Sequence, residues 1–447
     1  MEQVFIKAAQ LILSLSILVV LHEFGHFAFA RLFKTRVEKF YLFFDPWFAL
    51  FKTKRGETEY GVGWLPLGGY VKISGMIDES MDKEAMQLPP QPHEFRSKKP
   101  YQRLLIMLGG VMMNFIFAFV IYIGVLYAWG EQFLPNENVT HGIMVSETGE
   151  EIGLEDGDQI LSVDGNYIDN FNKIIPTVIL DNAKTIQVLR DGKQVEVEVT
   201  DDDLATLIKS SRVISPRGFF HVKVAKVEEG YPAKAAGLQK DDVFEGIDGK
   251  EFTYYDEFLN YIKSHKNEKI ELAVNRDGKS LTIPVTVPED GITGFQAKPQ
   301  EEAFSYLQFE TIEYGFLESI PAGFSRGVNT VKDYLKQFKL IFSPKTKAYE
   351  SLGGFIAIGN IFPGAWDWYS FWNMTAFLSI ILAIMNLLPI PALDGGHVTF
   401  LLYEIVSGRK PGEKFMEYAQ ITGMVILLSL VLFANGNDIF KLINQYF

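Results

Sequence analysis

Leu21-His22-Glu23-Phe24-Gly25-His26 lies inside the first long apolar run of the chain rather than in a soluble domain. Residues four apart share one face of an α-helix. His22 and His26 therefore project side by side and can bind one metal ion, with Glu23 beside them as a proton acceptor. The setting adds weight to this reading. Three ionisable side chains within about one turn of a membrane span are costly unless they are paired or functional, and such residues mark a site by default.

Outward from this motif, the apolar run from about Val4 to Phe33 is too long for a signal peptide. It also lacks a basic leader and a small-residue cleavage site, so it is expected to persist as a transmembrane helix. Four stretches are long and apolar enough to cross a bilayer, roughly 4–30, 104–128, 370–393 and 417–434. Arg31, Lys34, Arg36 and Lys39 follow the first, Arg96, Lys98, Lys99 and Arg103 precede the second, and Arg409, Lys410 and Lys414 separate the third from the fourth. Those ends are expected to face the cytoplasm, with both termini and the region after the second span outside. At ~1.5 Å per residue, His22 is about 27 Å along the first helix, near the cytoplasmic end of a ~30 Å hydrocarbon layer.

The chain of 447 residues has no cysteine, which excludes disulfides, iron–sulfur clusters and thiol nucleophiles. A zinc ion would have to be held by His and carboxylate. Residues 131–300 carry 31 acidic against 18 basic residues, which accounts for the whole net charge of −13 and argues against nucleic-acid binding.

Residues 58–74 are rich in Gly, aromatic and β-branched residues, and a bent, membrane-associated β-hairpin is expected there, with Gly61, Gly63, Gly68 and Gly69 at its turns. The stretch that follows, with Gln87-Leu88-Pro89-Pro90-Gln91-Pro92, reads as a linker with short helices. In the second span, Gly109 and Gly110 favour close helix approach, and Asn114 is an intramembrane hydrogen-bonding group with an expected packing role. A helical alternation over 314–342 predicts an amphipathic helix on the outer face.

Between the second and third spans the sequence repeats itself. Gly153-Leu154, an acidic turn and a strand ending in Asp164-Gly165 recur as Gly237-Leu238 and a strand ending in Asp248-Gly249. Arg-Asp-Gly-Lys recurs at 190–193 and 276–279, so the repeat is as long as a domain. The pattern resembles two PDZ domains in tandem, which take extended peptides by strand addition. Gly218, Phe219 and Phe220 are the candidate peptide-binding loop of the second copy.

The third apolar stretch ends in Asn386-Leu387-Leu388-Pro389-Ile390-Pro391-Ala392-Leu393-Asp394-Gly395-Gly396-His397. Two prolines and two glycines break the helix, so that Asn386 and Asp394 can turn inward at the depth of the histidine pair. Asp394 is the natural third zinc ligand, and two His with one carboxylate leave a fourth position open for hydrolysis. His397 is not needed for the set.

The His-Glu-Phe-Gly-His of the first span, the Asn-x-x-Pro-x-Pro-x-Leu-Asp-Gly-Gly of the third and the tandem insert together resemble the site-2 protease family of intramembrane zinc metalloproteases. The likeness covers nearly the whole chain. It implies Zn2+ on His22, His26 and Asp394, and Glu23 as catalytic base. It also implies that the 58–74 stretch is similar to a membrane-reentrant β-loop. Asn386, Pro389, Pro391 and the glycines of that loop are expected to position the substrate. The expected substrates are single-span membrane proteins such as anti-sigma factors already trimmed outside by another protease, and remnant signal peptides.

The fold class expected is a membrane protein with four transmembrane α-helices, a membrane-associated β-hairpin and an inserted tandem of β-rich PDZ-like domains (α+β). The expected parts are an N-terminal membrane part (1–130), PDZ-like domains (131–210 and 211–300), an amphipathic region (301–369) and a C-terminal membrane part (370–447). The place expected is the inner membrane, with the PDZ-like domains periplasmic and no oligomer implied. A membrane-tethered PDZ adaptor without catalysis is the competing reading, and the intact His22, Glu23, His26 and Asp394 weigh against it.

Overall fold

The computed structural model describes residues 2–66, 68–76, 89–210, 212–344, 346 and 348–446. The linker expected around Gln87 and Leu88 lies largely outside the described residues. The chain forms two compact units, Met1–Gly130 with Glu313–Leu335 and Leu352–Phe447, and Glu131–Ile312 with Lys336–Ser351.

The longer helices of the first unit are α1 (Glu2–Leu32), α2 (Pro100–Trp129), the part of α3 (Phe316–Ile341) that belongs to it, α4 (Trp368–Leu387), α5 (Asp394–Ser407) and α6 (Glu413–Tyr446). Four are long and apolar enough to cross a membrane: α1, α2, α4 and Lys414–Ile443 of α6. Helix α2 starts with Pro100, whose missing N–H costs nothing in a first turn, and stops at Gly130 with φ 70°. Helices α1 and α2 touch backbone to backbone. A side chain on Gly25 would strike the carbonyl of Gly109, and one on Gly109 that of Gly25. Ala376, Ile380 and Ile384 of α4 pack on Ala118, Ile121 and Val125 of α2.

The third span is shorter than expected. Helix α4 ends at Leu387, where Pro389 and Pro391 cannot continue its hydrogen-bond ladder, and Asp394 opens α5, a helix of 14 residues absent from the sequence reading. Gly395 and Gly396 press against the backbone of Leu387–Leu388 and Ile390–Pro391, with no room for a side chain. The last turn of α5 is tied to α2 by a buried Arg103–Glu404 ion pair at 2.6 Å.

The 58–74 segment is not a hairpin. Strands β1 (Val37–Leu42), β2 (Phe51–Arg55), β3 (Thr58–Val62) and β4 (Tyr70–Ile73) form one sheet in the order β2-β3-β1-β4. The hairpin joins β2 to β3 through a turn at Gly56, whereas β1 lies between β3 and β4, parallel to the first and antiparallel to the second. Val37 and Tyr41 bury one face of β1, which gives it the central place. This leaves β4 as an edge strand.

The second unit holds two hydrophobic cores, one from Leu134 to Val213 and one from Val222 to Val287. The first carries a three-stranded sheet of Gln159–Val163, Thr185–Arg190 and Lys193–Glu198, with the middle one central. The second carries a five-stranded sheet that includes Val222–Val227, Val243–Ile247 and Lys269–Arg276. The strand Ile214–Pro216 lies past the expected boundary at 210, yet it pairs with Ile143–Val145 of the first module. The sequence repeat is also a structural one. Arg190 binds Asp158 at 2.7 and 2.8 Å and the Gly153 carbonyl at 2.8 Å. Arg276 binds Asp242 twice at 2.6 Å and the Gly237 carbonyl at 2.9 Å.

Candidate active site

Two turns of α1 place His22 and His26 on the face that meets α2. The Nε2 atoms lie 3.2 Å apart, and Asp394 Oδ2, from the first residue of α5, is 3.1 Å from one and 3.3 Å from the other. All three side chains are withdrawn from solvent. These are the only three His, Asp or Glu residues among those described whose ligand atoms gather in this way.

The proton positions follow from the partners behind the rings. His26 Nδ1 lies 2.8 Å from the Ile106 carbonyl, which can only accept. Nδ1 must carry the hydrogen, and Nε2 presents a lone pair to Asp394. His22 Nδ1 lies 3.2 Å from the Asn114 side-chain amide. Turned with Oδ1 toward the ring, that amide accepts the Nδ1–H with an oxygen that is otherwise buried without a partner. Asn114 is held in turn by Ser379, whose hydroxyl donates to the Asn114 carbonyl at 2.8 Å.

Three lone-pair atoms facing one another without a donor repel unless a cation lies between them. Ligand atoms ~2.0–2.1 Å from a tetrahedral zinc are about 3.3 Å apart, close to the separations found here. Asp394 Oδ2 is also buried with no hydrogen-bond partner among the described residues. On both counts the donor set fits zinc.

Gly110 completes this wall. A Cβ there would sit 2.6 Å from His26 Nε2 and 2.7 Å from His22 Nε2, in the space beside the ligands. Gly110 and Asn114 share a face of α2 at helical spacing, and both turn out to serve the histidines rather than helix packing alone.

A cavity of about 460 Å³ opens onto the cluster. Its lining includes Glu23, Asp45, Gly69, Tyr70, Lys72, His397 and Gln420. Gly69 passes so close to α1 that a Cβ would stand 2.7 Å from Val19 and 3.5 Å from Glu23. The edge strand β4 therefore runs beside the motif. Tyr70 donates to Asp45 at 2.8 Å, and Tyr41 to Glu59 at 2.7 Å. Burial, reinforced by these carboxylates, raises both phenols above their ordinary range, so they remain donors.

Of the other residues proposed from the sequence, Gly61, Gly63 and Gly68 pack against Tyr41 and Phe44 and do not themselves line the cavity, although Phe44 does. Asn386 and Pro389 at the end of α4, and Pro391 in the following turn, do not line it either. Pro391 instead packs on Gly396 and Gly423. Gly218–Phe220 is no open loop. The Phe219 and Phe220 amides already donate to the carbonyls of Ala303 and Thr253, and the Phe219 ring stacks on Tyr254. An incoming carboxylate would find those two donors occupied.

A metal-fitting cluster of two histidines and an aspartate, with a glutamate in its cavity and helices long enough to span a bilayer, defines a membrane metallohydrolase. A model of peptidase family M50 matches residues 10–430, and the chain belongs to that family, the site-2 type of zinc metalloprotease. Over 97% of this chain it is 28% identical to the regulator of sigma-E protease of Escherichia coli, covering 98% of that protein. It is 29% identical to a protein named as a zinc metalloprotease in Campylobacter jejuni, over 97% of this chain and 93% of the relative. A Neisseria meningitidis protein named in the same way is 27% identical over 97% and 98%.

Proposed function

We propose that this zinc metalloprotease cleaves transmembrane segments of single-span membrane proteins in regulated intramembrane proteolysis, with His22, His26 and Asp394 as zinc ligands and Glu23 as general base. The observation that carries the proposal is the convergence of the three ligand atoms at 3.1–3.3 Å beside a cavity that Glu23 lines. Zinc, when bound, supplies a Lewis acid that polarises the scissile carbonyl and acidifies water. Glu23 takes the proton from the attacking water and returns it to the leaving amine. Ile106 and Asn114 hold the imidazole tautomers that leave Nε2 free.

A helical substrate hides its amides, so it must unwind before attack. Among the described residues β4 is an edge strand beside Glu23, on which an unwound segment can be laid. The Pro389 and Pro391 turn sets Asp394 at the start of α5, and Asn386 belongs to the last turn of α4 before it. The basic residues at the span ends favour a site near the cytoplasmic face of the inner membrane, with the second unit outside. We read the duplicated modules there as PDZ-like domains that admit trimmed substrates and turn away bulky ones. The relatives named for the regulation of sigma-E favour anti-sigma factors as one substrate class, and the family resemblance adds remnant signal peptides as another.

The test is cleavage of a single-span substrate by the purified protein in liposomes, compared with Glu23→Gln and with chelated protein. Loss of cleavage in both is expected, and equal cleavage by Glu23→Gln would sink the assignment. Deleting residues 131–300 should admit untrimmed substrates; unchanged selectivity would remove the filter.

A further inference from the structure

The fourth spanning helix sends one polar side chain into the cavity for which the reaction above has no task. Gln420 is 7% exposed and lines both the cavity at the ligand cluster and an adjoining chamber of about 290 Å³. Its carboxamide makes no hydrogen bond within the described residues, and its polar atoms are not sealed off but open onto those spaces. In a recess of the membrane unit such an amide is completed by water or by a ligand that enters the cavity.

Its placement is built in. Gly423, three residues on along the same face of α6, has no side chain and lies against the loop that leads to Asp394. A Cβ there would meet Pro391 C and O at 2.8 Å and Ala392 N at 3.0 Å. The contact brings α6 onto that loop and turns Gln420 into the cavity. Elsewhere α6 exposes Val425, Ile426, Leu428 and Leu432, as a lipid-facing helix does. An apolar residue at 420 would have filled the same space.

The opposite requirement comes from the substrate. An extended peptide paired along one edge with β4 still has a row of N–H and C=O groups on its other edge, in a site remote from water. A carboxamide is donor and acceptor in one group and matches a single peptide unit. We propose that Gln420 is a positioning residue that pairs with a backbone peptide group on the free edge of the unwound substrate. This rests on the reading of the cavity as the site of peptide hydrolysis.

The test compares Gln420→Met, which keeps the volume and loses the hydrogen bonds, with Gln420→Asn, which keeps the amide one methylene shorter. For a single-span substrate in liposomes, Gln420→Met should lower kcat/KM about tenfold, the size of one charge-free hydrogen bond at ~1.4 kcal/mol. Gln420→Asn should recover part of it, while zinc content and the thermal midpoint stay at wild-type values. A packing role predicts the reverse order, with Met rescuing activity, and overturns the proposal. Because the native chain has no cysteine, Gln420→Cys in a Glu23→Gln background permits disulfide trapping of single-cysteine substrates. Trapping is expected only at substrate positions near the cleavage point, with none from Tyr418→Cys, whose side chain is 71% exposed. No trapping at any position also overturns it. A wild-type protein without activity would instead overturn the hydrolytic reading, and trapping would still decide whether a membrane segment lies at Gln420.

Discussion

Asp394 in the membrane unit and Asp242 in the duplicated unit are both carboxylates withdrawn from water, and the chain treats them in opposite ways. Asp242 accepts two bonds from Arg276 at 2.6 Å and one from the Gln239 amide at 2.8 Å. Asp158 in the other module repeats the arrangement with Arg190 and the Glu155 amide. Asp394 Oδ2 meets only the Nε2 atoms of two histidines and has no donor. Buried polar groups are normally satisfied. The satisfied aspartates hold their modules together, whereas the unsatisfied one, with Gln420 nearby, marks a place made for something else to complete.

The comparison is broken most severely at Glu23 and the ligands. Glu23→Gln should cut kcat by about 10²–10⁴ while zinc stays bound, since the proton acceptor is lost and the ligand set is intact. Asp394→Ala or His22→Ala should lose zinc and activity together, as should prolonged chelation, with recovery on adding zinc. Metal analysis beside a cleavage assay separates these cases. An Asp394→Ala protein that retained full zinc would remove it from the ligand set.

Next in size are the groups behind the ligands. Gly110→Ala puts a methyl beside both Nε2 atoms and should weaken zinc binding by at least as much as losing a supporting hydrogen bond, about 10–100-fold. Asn114→Ala should fall within that same range, and Asn114→Asp, which can only accept when ionised, should restore the His22 contact. Competition with a calibrated chelator reads both. A wild-type affinity in Asn114→Ala would return that residue to a packing role.

How far these groups were legible in the sequence depended on whether their signal was local. His22, Glu23 and His26 declare themselves by spacing within a single turn, and Asp394 by the prolines and glycines that break the helix around it. Asn114 has the same helical spacing from Gly110, but only the crossing of α1 and α2 shows that its neighbour is His22. Gln420 is a single polar residue at the edge of an apolar run, where it reads as the end of a span. Its contact with the loop before Asp394 is made through tertiary packing at Gly423. The strand Val37–Leu42 was hidden because Arg36 and Lys39 fit the basic flank of a span, and without it β3 and β4 looked like partners. The duplication was visible because each module repeats its Asp-Gly turns in order, and Asp164, Asp191, Asp248 and Asp277 all adopt the positive φ such turns require.

The smallest effect on catalysis belongs to the satisfied aspartates, and it sharpens the comparison by its absence. Arg276→Ala leaves the Asp242 carboxylate, 1% exposed, with only the Gln239 amide. Removing charged hydrogen bonds from a buried acceptor costs about 1.5–3 kcal/mol, with the lower end favoured because the Arg276 side chain is partly open to solvent. The same substitution at Arg190 should cost a similar amount, since Asp158 is equally enclosed and its partner equally open. Unfolding of the second unit, followed by protease susceptibility, should shift in both variants. Zinc content and the cleavage of a trimmed single-span substrate should stay at wild-type values in both. If either arginine variant lost zinc, the modules would be coupled to the ligand cluster, and the division between charges that build and a charge that acts would fail.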